Sequence, residues 1–333
     1  MTLPTSWSRR LRLPLIAAPM LRVSGPELVV AACRAGVIGA FPTANCRSAG
    51  ELANWIARIR TAFDAAGTSA TDVAPFCANL IMRSPQLNEH LACLVRERVE
   101  MVITSVGSPR QVVGPLHDVG CRVFADVATL AHAEKALADG VDGLVLLASG
   151  AGGQTGWVNP FAFVRAVRNI FSGPLVLAGG IADGQALWAA CALGADMAYM
   201  GTRFIATPES MAVPAYRQML VQSTFDDVIT SPAFSGLDVN WLRPSIIAAG
   251  LDPEALATQV QRMGEKELFD PEAPRRWTDI WSAGHSVVGV RRVEPVADLI
   301  DEVAQQYNAA RQHSLALPAA PITPGNGGPD GPE

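Results

Sequence analysis

Short glycine-rich stretches are the first features of this 333-residue chain that could take part in chemistry. They are residues 149–156 (SGAGGQTG), residues 178–183 (AGGIAD) and residues 199–204 (YMGTRF), and each lies at the end of an apolar run. The first has four glycines in seven positions, so a flat ligand could lie against its backbone. The other two bring backbone N–H groups to neighbouring loops, where together with a helix N-terminus they can bind an anion without lysine. We therefore predict a phosphate site that includes Gly179, Gly180, Gly201 and Thr202.

Other apolar runs also end in residues that could contact a ligand. The first run ends in Ala18, Pro19 and Met20, a rigid turn followed by a soft apolar side chain. Asn79 and Asp126 stand at the ends of the third and fifth runs. Asparagine is disfavoured in ordinary strands, so Asn79 indicates a ligand contact. The equivalent place on the fifth run makes Asp126 a candidate to contact the ligand or to orient Asn79.

The composition excludes several classes of protein. Hydrophobic residues make up 49% of the chain and charged residues 17%, which excludes a chain that is disordered throughout. The net charge is −5 and no run of Lys or Arg exceeds two residues, so we expect no nucleic-acid partner. No stretch approaches the ~20 apolar residues of a membrane span, so we expect no membrane partner.

The six cysteines and five histidines lack the spacing of a metal site. No CxxC pair occurs, and neighbouring cysteines stand at least 13 positions apart. We therefore expect no metal site, and buried, reduced thiols in a soluble cytoplasmic protein.

The apolar runs alternate with amphipathic helical patterns up to residue 200. Runs of four to six residues are typical of parallel strands buried on both faces, and the chain has eight: 13–17, 37–41, 75–80, 101–105, 122–126, 143–147, 175–178 and 197–200. We predict an α/β fold in which these strands close a (β/α)8 TIM barrel, with a doubly wound open sheet as the alternative. The barrel is favoured because no GxGxxG motif follows the first strand and because glycines follow the seventh and eighth strands, where barrels place a phosphate site.

The pattern changes after Phe204. Prolines interrupt the helical patterns from residue 208 on, and residues 295–312 have the apolar spacing of a closing helix. We predict that residues 10–207 and 281–313 form the barrel, and that residues 208–280 form a helical subdomain that covers its mouth. In this subdomain Phe225, Phe234 and Trp241 are expected to set the size of the substrate. Residues 318–333 are rich in proline and glycine, so we expect a disordered tail.

As an ordered set, these motifs resemble the nitronate monooxygenase family, formerly called 2-nitropropane dioxygenases. The similarity runs from about Leu13 to Phe204 and resumes at residues 281–284 (WSAG). The resemblance implies a TIM barrel that binds FMN non-covalently, with the phosphate on the loops after strands 7 and 8. Carried over by position, it implies that Met20 lies beside the isoalloxazine ring and that further FMN contacts come from Asn79, Gly152, Gly180, Tyr199, Met200, Gly201 and Thr202. The candidate FMN site is completed by their neighbours in the same strand ends and loops: Ala18, Pro19, Asp126, Ser149, Gly153 and Gly179.

Three positions depart from the family pattern. The family's catalytic histidine follows an Ala-Gly-Gly motif, and this chain has Gln154 there. Glutamine cannot take up a proton near neutral pH, so Gln154 cannot act as a general base. His285 lies in a segment where family members usually carry glutamine, so an exchange of the two residue types would keep one imidazole near the flavin. Gln154 and His285 are therefore the candidate catalytic residues, while Leu147 replaces a further family glutamine expected to contact the flavin.

The resemblance implies an FMN-dependent oxidoreductase and leaves its reaction open. One function is oxidation of a nitronate or related carbanionic substrate by O2. A second, found among related FMN barrels, is NAD(P)H-dependent reduction of an enoyl thioester or a quinone. A third, of another class, is a barrel that binds a phosphate-bearing ligand without turning it over. In the two enzyme functions the expected partners are an apolar small-molecule substrate, larger than a nitroalkane, and either O2 or NAD(P)H.

Overall fold

Eight parallel strands form a closed barrel at the centre of the fold. The structure is a computed structural model that describes residues 3–65, 73–256 and 277–316. Neighbours around the barrel follow chain order: β1 (Leu15–Ala17), β2 (Ile38–Pro42), β3 (Phe76–Ile81), β4 (Met101–Ser105), β5 (Arg122–Val127), β6 (Gly143–Leu147), β8 (Leu175–Ala178) and β9 (Met197–Met200); β7 (Gly153–Gln154) lies outside it. The predicted TIM barrel is confirmed, and the open sheet is excluded because β1 pairs with β9.

The barrel strands are the apolar runs read from the sequence. Strands β4, β6, β8 and β9 have the predicted bounds, and the others differ by one or two residues at an end. Strand β1 begins later than predicted because Pro14 has no backbone N–H for the ladder. The carbonyl oxygen of Leu13 instead accepts a turn hydrogen bond from the N–H of Leu15, at 2.8 Å.

Seven helices pack around the outside of the barrel: α2 (Pro26–Arg34), α3 (Ala49–Ala65), α4 (Leu87–Arg96), α5 (Arg110–His117), α6 (Leu130–Ala138), α7 (Pro160–Arg168) and α8 (Gly184–Leu193). Three of them begin at a residue whose side chain accepts a hydrogen bond from the first turn, namely Thr129, Asn159 and Asp183. These caps satisfy N–H groups that have no partner within the helix. Buried side chains on the outer faces of the strands and the inner faces of the helices form the largest apolar cluster of the molecule.

A second apolar cluster fills the inside of the barrel. It comes from alternate strand positions, among them Ile16, Cys77 and Phe124, because successive side chains of a strand point to opposite faces. Helix α1 (Thr5–Ser8) closes the amino end of the barrel, where the ring of Trp7 lies 6.3 Å from that of Phe124. Trp7 thus covers the amino end of the apolar barrel interior, and the cavity opens at the carboxyl end.

After β9 the chain forms a mixed layer rather than the purely helical one predicted. It contains α9 (Thr202–Ile205), α10 (Pro214–Gln222), β10 (Val228–Ser231), β11 (Val239–Leu242) and α11 (Arg243–Ala248). Strand β11 pairs with β10 on one side and with β7 on the other, so a small antiparallel sheet joins this layer to the glycine-rich loop after β6. The sequence pattern misses β10 and β11 because these four-residue strands, VITS and VNWL, contain polar residues and are not the continuous apolar runs that identify β8 and β9.

Helix α12 (Val296–Ala316) closes the chain against the barrel. It buries Val296, Leu299, Ile300 and Val303, the positions expected from their spacing. A Cβ on Gly184 would lie 2.1 Å from the carbonyl oxygen of Val303, so only glycine allows this close approach of α8 and α12. The predicted tail at residues 318–333, and residues 257–276 of the predicted subdomain, lie outside the described residues. Within the part of the chain that is described, no helix has the length and apolarity needed to cross a membrane.

Candidate active site

A cavity opens at the carboxyl ends of the barrel strands, where TIM-barrel enzymes place their active sites. Most of the site residues predicted from the sequence line it. They come from the ends of six strands and from the loops that follow: Ala18, Pro19, Met20, Asn79, Asp126, Gly152, Gly153, Gln154, Gly179, Gly180, Tyr199, Gly201 and Thr202. The closed barrel thus brings together residues that are more than 180 positions apart in the sequence.

Three predicted residues do not line the cavity. Met200 is fully buried on the outer face of β9, because its neighbour Tyr199 takes the inward direction. Ser149 is exposed, and its backbone N–H donates to the carbonyl oxygen of Val158 at 2.8 Å. His285 is exposed as well, with its imidazole ring against Gly150. The imidazole expected near a bound flavin therefore lies outside the cavity in this structure.

The floor of the cavity is a polar layer above the apolar interior of the barrel. Asn79, Ser105, Asp126 and Tyr199 stand there on four different strands. The side-chain amide of Asn79 donates to the hydroxyl of Ser105 at 3.2 Å and to the carbonyl oxygen of Ile103 at 3.1 Å. Asn79 is thus oriented by β4 rather than by Asp126. Ser105 ends an apolar run just as Asn79 does, and this position is the sequence signal that marks it.

Two polar atoms of the floor are buried without a hydrogen-bond partner, Oδ1 of Asp126 and the hydroxyl of Tyr199. Burial raises the pKa of Asp126 to about 8, so its carboxyl group is mostly protonated at neutral pH. Burial also raises the pKa of Tyr199, and the nearby Asp126 adds to this effect. Buried polar groups are normally paired, so these two atoms indicate a ligand that supplies the missing partners.

The rim of the cavity beside β8 and β9 is built from glycine. Gly179 and Gly180 have φ angles of 127° and 71°, which favour glycine. A Cβ on Gly179 would lie 2.8 Å from the carbonyl oxygen of Ser149, whereas a Cβ on Gly180 would project into open space. The first turn of α8 is already occupied, because Asp183 accepts from Ala186 N and the Gly184 N–H donates to Gln306 Oε1 at 3.0 Å. An anion at this rim would therefore meet the loops after β8 and β9 and not α8.

A second glycine contact holds the loop after β6 in place. The return segment, residues 281–289, crosses this loop with backbone against backbone. A Cβ on Gly284 would lie 2.6 Å from the carbonyl oxygen of Gly150 and 2.7 Å from the N–H nitrogen of Gly152. The Gly284 N–H donates to the hydroxyl of Thr202 at 3.0 Å. The return segment thus connects the loop after β6 with the loop after β9, two parts of the cavity wall.

Gln154 is the polar residue at the mouth of the cavity. It belongs to β7, whose pairing with Val239 of β11 fixes its backbone. Its amide can donate and accept hydrogen bonds but cannot exchange a proton near neutral pH. Leu147 lines the cavity at the end of β6. Among the described residues that line the cavity, none is histidine, lysine or arginine.

The upper wall of the cavity comes from the segment after β9. Tyr216 lines the cavity, stacks on Trp281 with ring centres 4.9 Å apart, and donates its hydroxyl hydrogen to the carbonyl oxygen of Ser282. Trp277 lines the cavity as well. Phe225, Phe234 and Trp241 do not line it. The predicted segment supplies part of the wall through Tyr216, but the three residues expected to set substrate size lie elsewhere, because residue spacing does not tell which side of a short element faces a cavity.

Within the described part of the chain, no group of three or more His, Cys, Asp or Glu side chains could hold a metal ion. Five of the cysteines are buried, and the sixth, Cys191, is partly buried. Burial raises the pKa of the Cys33 thiol to about 12, so it is inert as a nucleophile at neutral pH. The chemistry of the cavity therefore depends on hydrogen bonding, on shape and on what it binds.

Proteins of known families are similar to this chain in sequence. The family model described as nitronate monooxygenase matches residues 80–306. A nitronate monooxygenase of Pseudomonas aeruginosa is 30% identical over 248 residues, which cover 62% of this chain and 70% of that protein. A dehydrogenase of Mycobacterium tuberculosis, named for a (3aS,4S,5R,7aS)-5-hydroxy-7a-methyl-1-oxo-octahydro-1H-indene-4-carboxyl-CoA substrate, is 27% identical over 237 residues and 70% of this chain. The chain spans 64% of the length of that relative.

The fold has solved counterparts. The structure of FabK from Thermotoga maritima superimposes with a TM-score of 0.75 at 25% identity. The alignment covers 92% of this chain and 96% of that one. The barrel and the segment after it thus recur together in a known structure.

Proposed function

Because the chain belongs to the nitronate monooxygenase family, we propose that it is an FMN-dependent oxidoreductase that oxidises a nitronate or a related carbanionic substrate with O2. The observation that carries the proposal is the glycine rim beside an open cavity at the ends of β8 and β9. In TIM barrels this place serves phosphate groups. The open space in front of Gly180 is where a phosphate would lie.

The residues present fit FMN in two respects. The rim offers backbone rather than side chains, which suits the phosphate of a ligand held without lysine or arginine. The floor offers Asp126 and Tyr199, whose buried polar atoms lack partners and could hydrogen-bond to the heteroatoms of a flavin ring. Gly179, Gly180, Gly201 and Thr202 would hold the phosphate, and Asn79, Asp126 and Tyr199 would contact the ring. FMN, when bound, supplies the redox chemistry by taking electrons from the substrate and passing them to O2.

The chain's own residues would bind and orient the substrate. Gln154 can donate a hydrogen bond from its side-chain amide to a nitro or carbonyl oxygen. Since Gln154 cannot remove a proton, the substrate must arrive as a preformed anion or be ionised by another group. Tyr216 and Trp277 contribute aromatic rings to the wall of the cavity. These features suit a largely apolar substrate.

A second candidate function is NAD(P)H-dependent reduction of an enoyl thioester or a quinone. It is favoured by the absence of histidine among the described residues that line the cavity. Hydride transfer to an enoyl thioester or a quinone needs no base, provided that a proton donor is present. A relative whose name specifies a bicyclic coenzyme A thioester adds support for a thioester substrate.

The test is the visible spectrum of the purified protein, followed by anaerobic additions. Flavin absorption that bleaches on addition of a small alkyl nitronate, and returns with O2, is the expected result. Bleaching by NADH or NADPH but not by a nitronate would show that the protein is the reductase and not the monooxygenase. A protein that binds neither FMN nor riboflavin would overturn both enzyme functions and leave a barrel that binds another phosphate-bearing ligand.

A further inference from the structure

Asp126 is an acidic side chain on the cavity floor that takes no part in proton transfer in the proposed reaction. It is the last inward-facing residue of β5, one layer above Phe124. Its Oδ1 atom is buried without a partner although the side chain lines the cavity. No hydrogen bond orients it toward the polar residues of neighbouring strands, unlike Asn79, which bonds to Ser105.

The described residues around Asp126 carry no positive charge. The groups of the same layer are Asn79 on β3, Ser105 on β4, Leu147 on β6 and Tyr199 on β9, and all of these are uncharged at neutral pH. The thiol of Cys77 lies in the apolar layer below, where burial raises its pKa, so it is neutral as well. Of the described residues that line the cavity, only Asp126, Tyr199 and Tyr216 can titrate. Among these described residues, none stabilises the carboxylate by its charge, so the protonated acid is favoured.

The barrel order places Asp126 where the ring of a flavin would pass. The glycine rim belongs to β8 and β9, and Asn79 belongs to β3, on the opposite side of the eight-stranded barrel. A ligand that reaches from the rim to Asn79 must cross the floor. Asp126 on β5 and Tyr199 on β9 stand in that floor.

We infer that Asp126 is a protonated hydrogen-bond donor to a ring heteroatom of the bound flavin, and that loss of its proton weakens flavin binding. The inference rests on the proposed function, because it takes flavin as the ligand. Flavin rings present carbonyl oxygens and ring nitrogens that accept hydrogen bonds, and a carboxylic acid donates to such atoms while a carboxylate repels them. The affinity of the protein for flavin thus falls as Asp126 loses its proton.

The expected size of the effect follows from the protonated fraction. With a pKa of about 8, most of the acid is protonated at pH 7 and only about a tenth at pH 9. If only the protonated form binds, the apparent Kd of the apoprotein for flavin rises about tenfold between these two pH values. The second ionisation of the FMN phosphate lies near pH 6 and is nearly complete at pH 7, so it contributes little.

The experiment measures the Kd of the apoprotein for FMN, and for riboflavin as a phosphate-free probe, by flavin fluorescence from pH 7 to 9. Asp126→Asn keeps an N–H donor and cannot titrate, so its Kd should be close to the parent's value at pH 7 and flat with pH. Asp126→Leu removes the donor and should weaken binding at pH 7 by about three- to tenfold. Asp118→Asn is the matched control, because Asp118 is an exposed aspartate just after α5, away from the cavity. It should show the parent's pH dependence.

A spectroscopic readout accompanies the affinities. The absorption spectrum of the bound flavin should titrate above pH 7 in the parent and in Asp118→Asn, but not in Asp126→Asn. Circular dichroism at each pH verifies that every variant is folded.

Three results would overturn the inference while leaving the proposed function intact. They are a pH-independent Kd in the parent, the parent's pH dependence in Asp126→Asn, and undiminished flavin binding in Asp126→Leu. If pH instead alters only the binding of a substrate-like anion such as a nitronate, Asp126 faces the substrate and the inference is wrong. A parent that binds no flavin at any pH would overturn the proposed function, and the inference with it.

Discussion

Single residues decide what the cavity can do with protons. Gln154 contributes an amide to the cavity wall. His285, the histidine of the return segment, is exposed and does not line the cavity. Asp126 is the acid on the floor, held protonated by burial. The site is therefore built to donate hydrogen bonds to electron-rich atoms rather than to remove protons from carbon. That balance suits a substrate that is already anionic.

The Gln154→His variant tests this view directly. Imidazole exchanges a proton near pH 7, and general acid–base catalysis is typically worth ~10²–10⁴-fold. We expect kcat/KM for a neutral nitroalkane to rise by at least ~10-fold, while the value for the preformed nitronate changes little, because only the neutral substrate needs a base. Initial rates of O2 uptake measure both.

The matched control is Gln154→Leu, which removes the amide without adding a base and should lower activity toward both substrates. Equal activity of the parent on the nitroalkane and the nitronate would show that a base is already present, contrary to this view.

Asp126 also makes stability depend on pH. Its pKa is about 8 in the folded protein against an ordinary value of 3.8, so between these values the folded state binds more protons than the unfolded state. Its contribution to stability is complete below pH ~4 and is lost as the pH rises toward 8. Asp126→Asn does not titrate. The free energy of unfolding of the variant, relative to that of the parent, should therefore increase by up to ~4 kcal/mol between pH 5 and pH 8.

Thermal unfolding of the two apoproteins at pH 5 and pH 8 measures this difference. The Tm of Asp126→Asn minus that of the parent should be larger at pH 8 by several degrees. A difference that is the same at both pH values would mean that Asp126 is ionised in the folded protein, contrary to the expectation.

At the scale of elements, the glycine rim is made by the loop after β8 and by the turn from β9 into α9, and the end of α8 does not line it. The first turn of α8 is satisfied by Asp183 and Gln306, whereas the loops after β8 and β9 present glycine to the cavity. The return segment crosses the loop after β6 at Gly284, where no side chain fits. Glycine in these loops therefore keeps the rim of the cavity free of side chains.

Gly180→Leu should release flavin. A leucine side chain would extend into the open space in front of position 180. The backbone φ of Gly180 is 71°, which is strained for any residue with a Cβ. We expect the Kd for FMN to rise at least ~10-fold, measured by fluorescence titration of the apoprotein.

The chain offers a closely matched control in Gly120→Leu. Gly120 also has a left-handed conformation, with φ of 80° and open space around its Cβ position, but it is exposed and lies between α5 and β5, at the closed end of the barrel. This variant should carry similar strain and bind FMN like the parent. If Gly180→Leu binds FMN as tightly as Gly120→Leu, the phosphate does not lie at this rim.

At the scale of the whole molecule, one buried ion pair ties the rim to the end of the chain. Arg203 of α9 donates to the carbonyl oxygen of Ala182 at 2.9 Å and to Glu294, just before α12, at 2.9 Å. Both charged side chains are buried. The loops after β8 and β9 and the closing helix are thus joined through one guanidinium group.

Removing one partner of this pair should lower the free energy of unfolding. Glu294→Ala leaves the guanidinium of Arg203 buried without its nearest carboxylate, and such changes cost about 3–5 kcal/mol. Glu254→Ala is the control, because it removes a carboxylate from an exposed pair with Arg243 and should cost about 1 kcal/mol or less. Urea unfolding of the two variants measures the difference. Equal losses would mean that the buried pair has no special role.

Much of the fold could be predicted because its signals are local. Apolar runs of four to six residues, helical patterns between them and glycine at the late strand ends are each visible within a short window. The barrel strands were therefore placed to within two residues. Strands β10 and β11 were not, because polar residues interrupt their short apolar pattern and because the pairing of β11 with β7 is a contact between distant parts of the chain.

The sequence by itself determined which residue types stand at the strand ends, and hence that glycine, Asn79, Asp126 and Gln154 would be available to a ligand. Only the tertiary structure decided which side chains face the cavity. Met200 and Tyr199 are neighbours in the sequence, yet the alternation of a strand turns one outward and the other inward. The protonation of Asp126 was likewise decided by the closed barrel. A carboxyl group changes its pKa through the water and the charges around it, and those are fixed only when the strands come together.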